Sequence, residues 1–322
     1  KSLTMSAIAN TFQTYDAKGI REDLSDIIYN ISPTETPFMA NAGRGKASNT
    51  LFEWQTDSLA NTNTSNAQLE GDDVSSFDAV SPTVRLGNYT QISRKTVVIA
   101  GTEEVVNKAG RKSELAYQLA KKGKELKRDM EAICLANQGA AAGNDTTARV
   151  TGSILAFIKT NVNLAGDGAN PTYTTTPTGT RTDGTVRPVT ETILKDVIQQ
   201  GWTNGANFST YMVPGVVKQE VSGFAGIATK TYFQSAKDVM PIIGAADVYV
   251  SDFGTLSIVP NRFMRTRDGL LFDWEFVSVD FLRPFKQVPL AKTGDAEKRM
   301  LIVEYGVRVK NEKALGITAD IS

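Results

Sequence analysis

A chain of 322 residues with 35 basic and 35 acidic side chains has no net charge, so no global field draws it to nucleic acid or anionic lipid, and any such contact must be local. The absence of His removes the commonest general base and the commonest metal ligand, which excludes Ser-His-Asp triads and His-containing zinc sites; a lone Cys134 permits neither an intramolecular disulfide nor a thiolate metal cluster. With 41% hydrophobic and 22% charged residues the composition is that of one large globular domain or two smaller ones, and no apolar run approaches the roughly 20 residues of a membrane helix, so no membrane partner is expected.

The first residue is Lys1 and no apolar signal core follows it, so secretion is not indicated. Two origins fit that start: initiation at Met5, or a proteolytic cut before Lys1. Ile20, Leu24, Ile27 and Ile28 mark a short helix with Asp16 as its cap. The run Ile31-Ser32-Pro33-Thr34-Glu35-Thr36-Pro37-Phe38 then breaks it, because each proline pushes its predecessor toward extended geometry. An extended N-terminal arm over residues 1–45 is expected, with Gly43-Arg44-Gly45-Lys46 at its flexible end. As a phosphate cradle those glycines lack the strand-loop-helix context.

Thr50 to Asp57 alternates as a strand, with Phe52 and Trp54 on one face and Leu51, Glu53 and Gln55 on the other. Thr83 to Ile99 is its expected partner, ending in the buried-strand pattern Thr96-Val97-Val98-Ile99. Between them, Ala60 to Pro82 is rich in Asn, Thr, Asp and Ser. A compact domain seldom carries so long a loop without using it, so the pair reads as a long two-stranded arm reaching outward, and the protein as one that assembles. A hairpin alone in water is marginally stable, so the arm needs a neighbour to lie on. Trp54, Leu69 and Phe77 are its candidate anchors; the plainer reading packs them on their own domain.

Thr102 is the expected cap of a short helix, with Glu103 and Glu104 at its positive end. From Arg111 to Gln138, Leu115, Leu119, Leu126, Met130 and Ile133 trace one stripe of a helix roughly 40 Å long. Cys134 lies among these apolar residues and reads as an inert buried filler. Lys108, Arg111, Lys112, Lys121, Lys122, Lys124, Lys127 and Arg128 cover the other faces, offset by Glu114, Glu125, Asp129 and Glu131. A solvated face explains them, with Glu125 to Arg128 and Lys127 to Glu131 at pairing distance; nucleic-acid binding is disfavoured because aromatic interleaving is absent.

Ile154 to Ile158 is a short apolar island, and Gly166 to Pro188 reads as loop and domain boundary. Asp167 and Asp183 sit in glycine turns; they lack the ligand spacing of a calcium loop, so turn chemistry is preferred. The remaining third reads as a second α+β domain. Thr190 caps a helix stopped by Gly201, and strand-like Ser209 to Val213 leads through Pro214-Gly215 to a helix over Val216 to Ser222. Val248-Tyr249-Val250, Thr255 to Val259, Leu270 to Val279 and Leu301 to Val309 follow as strands. Arg262, Arg265 and Arg267 form a basic cluster before an expected Asp268-Gly269 hairpin turn.

This order of parts resembles the major capsid proteins of tailed bacteriophages. The strings Ile31 to Phe38, Ile154-Leu155-Ala156-Phe157-Ile158-Lys159-Thr160-Asn161 and Asp247-Val248-Tyr249-Val250-Ser251-Asp252-Phe253-Gly254 resemble one branch of them, and the likeness covers nearly the whole chain. It implies the α+β shell fold also found in encapsulin compartments and herpesvirus capsid floors. The division it implies is an N-terminal arm (1–45), an extended loop (46–96), a peripheral domain with the spine helix (97–188), an axial domain (189–288) and a return segment (289–322). It further implies hexamers and pentamers closing an icosahedral phage head around double-stranded DNA, with scaffold, portal and decoration proteins as partners and assembly in the host cytoplasm. No cofactor or metal is implied.

Some relatives cross-link through a lysine near the loop tip. Ala47 to Arg94 contains no lysine, so a noncovalent shell is expected. Asp57, Glu70, Asp72, Asp73 and Asp78 stand there instead and are expected to meet basic groups on an adjacent subunit, Asp72 and Asp73 being candidate interface residues; Arg262, Arg265 and Arg267 are further candidates for the assembly interface. An encapsulin-like compartment holding a cargo protein is the near alternative. An enzyme would need paired carboxylates or a Ser-Lys set that no spacing singles out, and a tail fibre would show repeats that are absent.

Overall fold

The computed structural model describes residues 34–71, 73–74, 77–106, 112–224 and 247–322. The helix expected around Ile20 to Ile28 and its Asp16 cap lie outside these residues. The chain enters through a short helix α1 (Pro37–Asn41) and strand β1 (Gly43–Lys46), then runs out along β2 (Leu51–Thr56) and back along β3 (Val84–Tyr89) and β4 (Gln91–Ala100). Helices α2 (Gly101–Val105) and α3 (Glu114–Cys134) follow, then β5 (Val162–Asn163), α4 (Glu191–Thr203), β6 (Thr210–Val213), α5 (Gly215–Ser222), β7 (Val248–Ser251) and β8 (Gly254–Pro260). The last quarter is extended: β9 (Asp268–Phe272), β10 (Val277–Pro289), β11 (Ala296–Val309) and β12 (Leu315–Ala319).

Strands β1, β10, β11 and β4 form one sheet in that order, with β11 paired to β4 from Ala296↔Ala100 to Tyr305↔Gln91. Helix α3 lies against it and buries Leu126, Met130 and Cys134 beside Val303, Tyr305 and Val307. Leu115, Leu119 and Ile133, the rest of the expected stripe, are half-buried. Cys134 is completely buried, which pushes its thiol pKa up and keeps it neutral.

The second sheet has the order β5-β12-β9-β6-β8-β7, and its two faces are two cores. Successive strand residues point to opposite faces, so Met212, Leu270 and Phe272 face the α3 side while Tyr211, Val213 and Leu271 face α4 and α5. The island Ile154 to Ile158 is wholly buried in the first core. Thr190 caps α4 by accepting from Ile193 N at 3.4 Å.

Several local expectations are corrected. Gly43 to Lys46 is a strand paired in parallel with β10 rather than a flexible end; glycine is required because a Cβ on Gly45 would lie 2.2 Å from Asp280 Oδ1. Phe38 is fully buried, so residues 37–46 belong to the body and are not an extended arm. Helix α3 spans Glu114–Cys134, about 30 Å, shorter than expected because Ser113 caps it by accepting from Ala116 N at 3.2 Å. Thr102 is not a cap; Ala100 holds that position. Instead the Glu104 carboxylate reaches Glu114 N and Leu115 N at 3.1 and 3.2 Å, at the positive end of α3.

The run Leu270 to Val279 is two strands in two sheets, divided by a turn at Trp274–Phe276 that Asp273 caps. Asp268 and Gly269 are strand residues of β9, not a hairpin turn, paired with Ala319 and Thr318. Gly269 is glycine because Tyr211 Oη would lie 2.5 Å from its Cβ. Gly201 sits inside α4 and does not end it; the Phe208 ring would lie 2.1 Å from a Cβ there.

Candidate assembly interface

The hairpin is shorter than its sequence suggested. Only Leu51↔Tyr89 to Thr56↔Val84 pair, because the chain turns at Thr90 and gives Gln91–Ala100 to the body sheet. Asn88 is fully buried at that base: its amide donates to Gly152 O at 2.9 Å and Val307 O at 2.7 Å, and its carbonyl accepts from Gly152 N at 2.8 Å. Thr90, also fully buried, donates to Glu304 Oε1 at 3.0 Å. Arg149 ion-pairs with the same carboxylate, and Arg283 Nε reaches its other oxygen at 2.7 Å. Burial works against ionisation of Glu304, yet the bonds from Arg283 and Thr90 and the charges of Arg283 and Arg149 hold its pKa below the usual carboxylate range.

Beyond Thr56 the described part of the loop has no strand until Val84 and no buried residue until Leu86. Leu59, Leu69, Phe77 and Val80 are 98%, 81%, 89% and 94% exposed. Asp57, Glu70, Asp73 and Asp78 are exposed beside them; Asp72 lies outside the described residues. Trp54 differs from Leu69 and Phe77. It is half-buried on its own body, with ring centroids 5.8 Å from Phe52 and 6.1 Å from Phe157 and the Arg308 guanidinium 5.6 Å above it. For Trp54 the intramolecular reading holds.

The basic cluster separates likewise. Arg262 is exposed, whereas Arg265 pairs with Asp183 and, at 2.9 Å, with Asp268, and Arg267 reaches Asp320 at 2.8 Å and the Gly184 carbonyl. Asp320 holds a left-handed φ of 57° and accepts from Gly184 N at 2.9 Å and Ala165 N at 3.2 Å. Burial pushes Asp268 up to about 6 against the pull of Arg265 and Arg181, and burial lowers Arg181 to about 10. This network ties residues 165–184 to β9 and β12. It takes Arg265 and Arg267 into the subunit, which sequence spacing could not reveal because their acidic partners lie far away in the chain. Asp167 accepts from Thr185 N at 2.8 Å and Thr185 Oγ1 at 2.6 Å, a contact across 18 residues rather than within its own turn.

On α3 the expected pairs are replaced. Glu125 pairs with Lys122 at 2.7 Å and Asp129 with Lys95 at 2.6 Å. Glu131 is fully buried and accepts from Phe38 N at 2.7 Å, Met39 N at 2.8 Å and Asn261 Nδ2 at 2.7 Å. Burial raises its pKa against those three donors. It clamps α1 onto the spine, a role hidden among the charged residues of the helix. Among the described residues no group of three His, Cys, Asp or Glu could hold a metal, and no helix is long and apolar enough to cross a membrane.

Residues 6–322 match the SU10 major capsid protein family. The chain is 32% identical to the major capsid protein of Escherichia phage Phieco32, over 95% of this chain and 96% of that one. In fold it is similar to the capsid asymmetric unit of Cyanophage A-1(L), with a TM-score of 0.63 at 13% identity over 96% of this chain and 98% of that one. It is similar also to the SrpI encapsulin of Synechococcus elongatus, with a TM-score of 0.56 at 7% identity over 94% and 93%. With this match along nearly its whole length and this α+β fold of tailed-phage major capsid proteins, the chain belongs to the SU10 major capsid protein family and is a phage capsid shell subunit.

Proposed function

We propose that the subunit closes into hexamers and pentamers that build an icosahedral head around double-stranded DNA, without covalent cross-links. The observation that carries this reading is the loop from Asp57 to Thr83: its apolar residues have no core of their own, and such a chain gains order by lying on a neighbour. Residues 46–96 act as the extended loop, 97–188 as the peripheral domain with its spine, 189–288 as the axial domain and 289–322 as the return segment, preceded by the N-terminal arm. Leu69 and Phe77 are the apolar anchors, Asp72 and Asp73 the acidic contacts, and Arg262 the basic residue of the cluster exposed to receive them. Heterologous contacts of this kind close into rings, and many weak contacts act together once subunits are held in place.

The zero net charge supports contact with DNA that is weak and independent of sequence, since strong attraction would trap a densely held genome. Scaffold, portal and decoration proteins are the further partners, with assembly in the host cytoplasm before residence in the virion. The likeness to an encapsulin favours one second reading, a compartment around a cargo protein. Size-exclusion chromatography and negative-stain electron microscopy of the purified chain test the assembly. Rings or closed shells are the expected result, a cargo enzyme copurifying in place of nucleic acid supports the second reading, and a monomer that forms no particle with added scaffold or salt overturns both.

A further inference from the structure

Helix α3 lies on one face of the four-stranded sheet. On β4, Lys95 pairs with Asp129 of α3 and Val97 is buried on the same side, so Ile92, Arg94, Thr96 and Val98 alternate to the opposite face. Their neighbours in register there are Met300 and Ile302 of β11 and Val288 of β10. The base of the hairpin covers the lower part of this face, where a Cβ on Gly306 would lie 2.4 Å from the Phe52 ring. Above that the face is open. Ile92 and Val98 are 48% and 58% exposed, and Ile92 borders a groove of about 350 Å³ whose other wall includes Ala142, Gly143 and Ala148. The open strip from Ile92 to Val98 is about 20 Å long.

The charge on this strip is positive. Arg94 and Lys286 are exposed and Lys298 is half-buried, with its ammonium on the Thr293 hydroxyl; among the described residues none of the three pairs with an acid. Glu304, at the lower end, is buried and already held by Arg149 and Arg283. An apolar strip with unneutralised cations fits an apolar and acidic occupant, and the loop has that composition. Residues 57–83 contain no Lys or Arg and carry Asp57, Glu70, Asp72, Asp73 and Asp78, while Leu69, Phe77 and Val80 stand in solvent. The loop therefore does not turn back onto the strip of its own subunit. Two unlike, complementary surfaces left open on one molecule are joined between copies, in a heterologous contact.

Taking residues 57–83 as the arm between subunits, we infer that the open strip of β4, β11 and β10 is the seat on which the loop of a second copy lies, its apolar side chains over Ile92, Val98 and Met300 and its Glu70 and Asp78 beside Arg94 and Lys298. Each copy then gives one loop and receives another, so apolar area and opposite charge are matched at every contact around a ring.

The test uses particles assembled from a mixture of isotope-labelled and unlabelled full-length chains that carry a photoreactive benzophenone amino acid in place of Phe77. The expected adduct joins chains of different label and maps by mass spectrometry to residues 91–100 or 286–302. Adducts between copies that map elsewhere would keep the arm and overturn this seat; adducts confined to single chains, or none, would overturn the arm as well. Charge reversal gives the second measurement. Arg94→Glu with Lys298→Glu should leave the thermal midpoint of the isolated subunit within about 2 °C and lower the yield of particles in low salt about tenfold, and adding Glu70→Lys with Asp78→Lys should restore it. A yield that the reversal leaves unchanged, or that the second pair fails to restore, overturns the seat, whereas particles that survive removal of the loop overturn the arm itself.

Discussion

At the base of the hairpin, Asn88 and Thr90 are completely buried and bonded to Gly152 and to Val307 and Glu304 of β11, while at its tip Leu59, Phe77 and Val80 stand almost wholly in solvent. Both regions belong to one excursion of the chain. The base is held by the subunit itself, through a buried amide and a carboxylate shared by two arginines; the tip has apolar side chains and nothing of its own to bury them in. The comparison teaches that burial within the subunit ends near Leu86, so the apolar residues beyond it add little to the subunit's own stability and are the ones proposed for contact between copies.

The largest effect should come from removing the tip. Replacing residues 58–82 by a short Gly-Ser turn should abolish particles seen by electron microscopy, while the thermal midpoint of the isolated subunit moves by no more than about 2 °C. A large fall in that midpoint would show that the tip packs on its own body, and the comparison would fail.

Asn88→Ala is the converse. It leaves Gly152 O, Val307 O and Gly152 N buried without their partner, which costs about 3–5 kcal/mol of subunit stability in urea unfolding. Phe77→Ala, at 89% exposure, should change the same measurement by less than about 0.5 kcal/mol yet weaken the shell. Equal losses in the two variants would erase the distinction between base and tip.

The body of the molecule was legible where periodicity decides structure. Leu126 and Met130 of the stripe that the spacing traces are buried, as is Cys134 read as a filler beside it, and Thr190 caps α4 as its position before an apolar run predicts. What could not be read were choices made at a distance. Leu270 to Val279 is uniformly strand-like, and only its packing shows that it serves two sheets. Glu131 looks like any charged residue of a solvated helix until α1 and Asn261 are brought to it. Gly269 resembles a turn residue, but the approach of Tyr211 and Thr318 is what demands it. Arg265 and Arg267 read in sequence as a basic cluster with Arg262 because Asp183 and Asp320, which pair with them, lie far from them in the chain. At the interface, the loop's composition points to reach and contact, while the choice between the two readings of Trp54 is not legible in sequence because its partner Phe157 lies a hundred residues on.

The same contrast separates two sets of aspartates by what disturbs them. Asp268 is 1% exposed, and its folded-state pKa of about 6 lies above the ordinary 3.8. The stabilisation it contributes is therefore fully present below the lower value and lost as pH rises through the upper one. Between pH 4.5 and 7.5 the stability of the parent chain should fall relative to Asp268→Asn, which cannot titrate, by about 2 kcal/mol. The difference should hardly respond to salt, because buried charges are poorly screened. A difference that stays flat with pH would mean that Asp268 ionises as easily as a solvated carboxylate.

The loop aspartates should behave in the opposite way. Asp73 is exposed, so salt is the lever that reaches it. The proposed attraction between Asp73 and basic groups such as Arg262 on an adjacent copy acts between exposed charges, which are screened over a Debye length of about 10 Å at 0.1 M salt. Asp72→Asn with Asp73→Asn should leave the isolated subunit unchanged and lower the denaturant midpoint of the assembled shell in low salt, by the equivalent of about 0.5–1 kcal/mol per subunit. In 0.5 M salt the parent should lose the same increment and the two shells should converge. Equal midpoints at both salt concentrations would remove the aspartates from the interface and leave Leu69 and Phe77 to hold the tip by apolar burial alone.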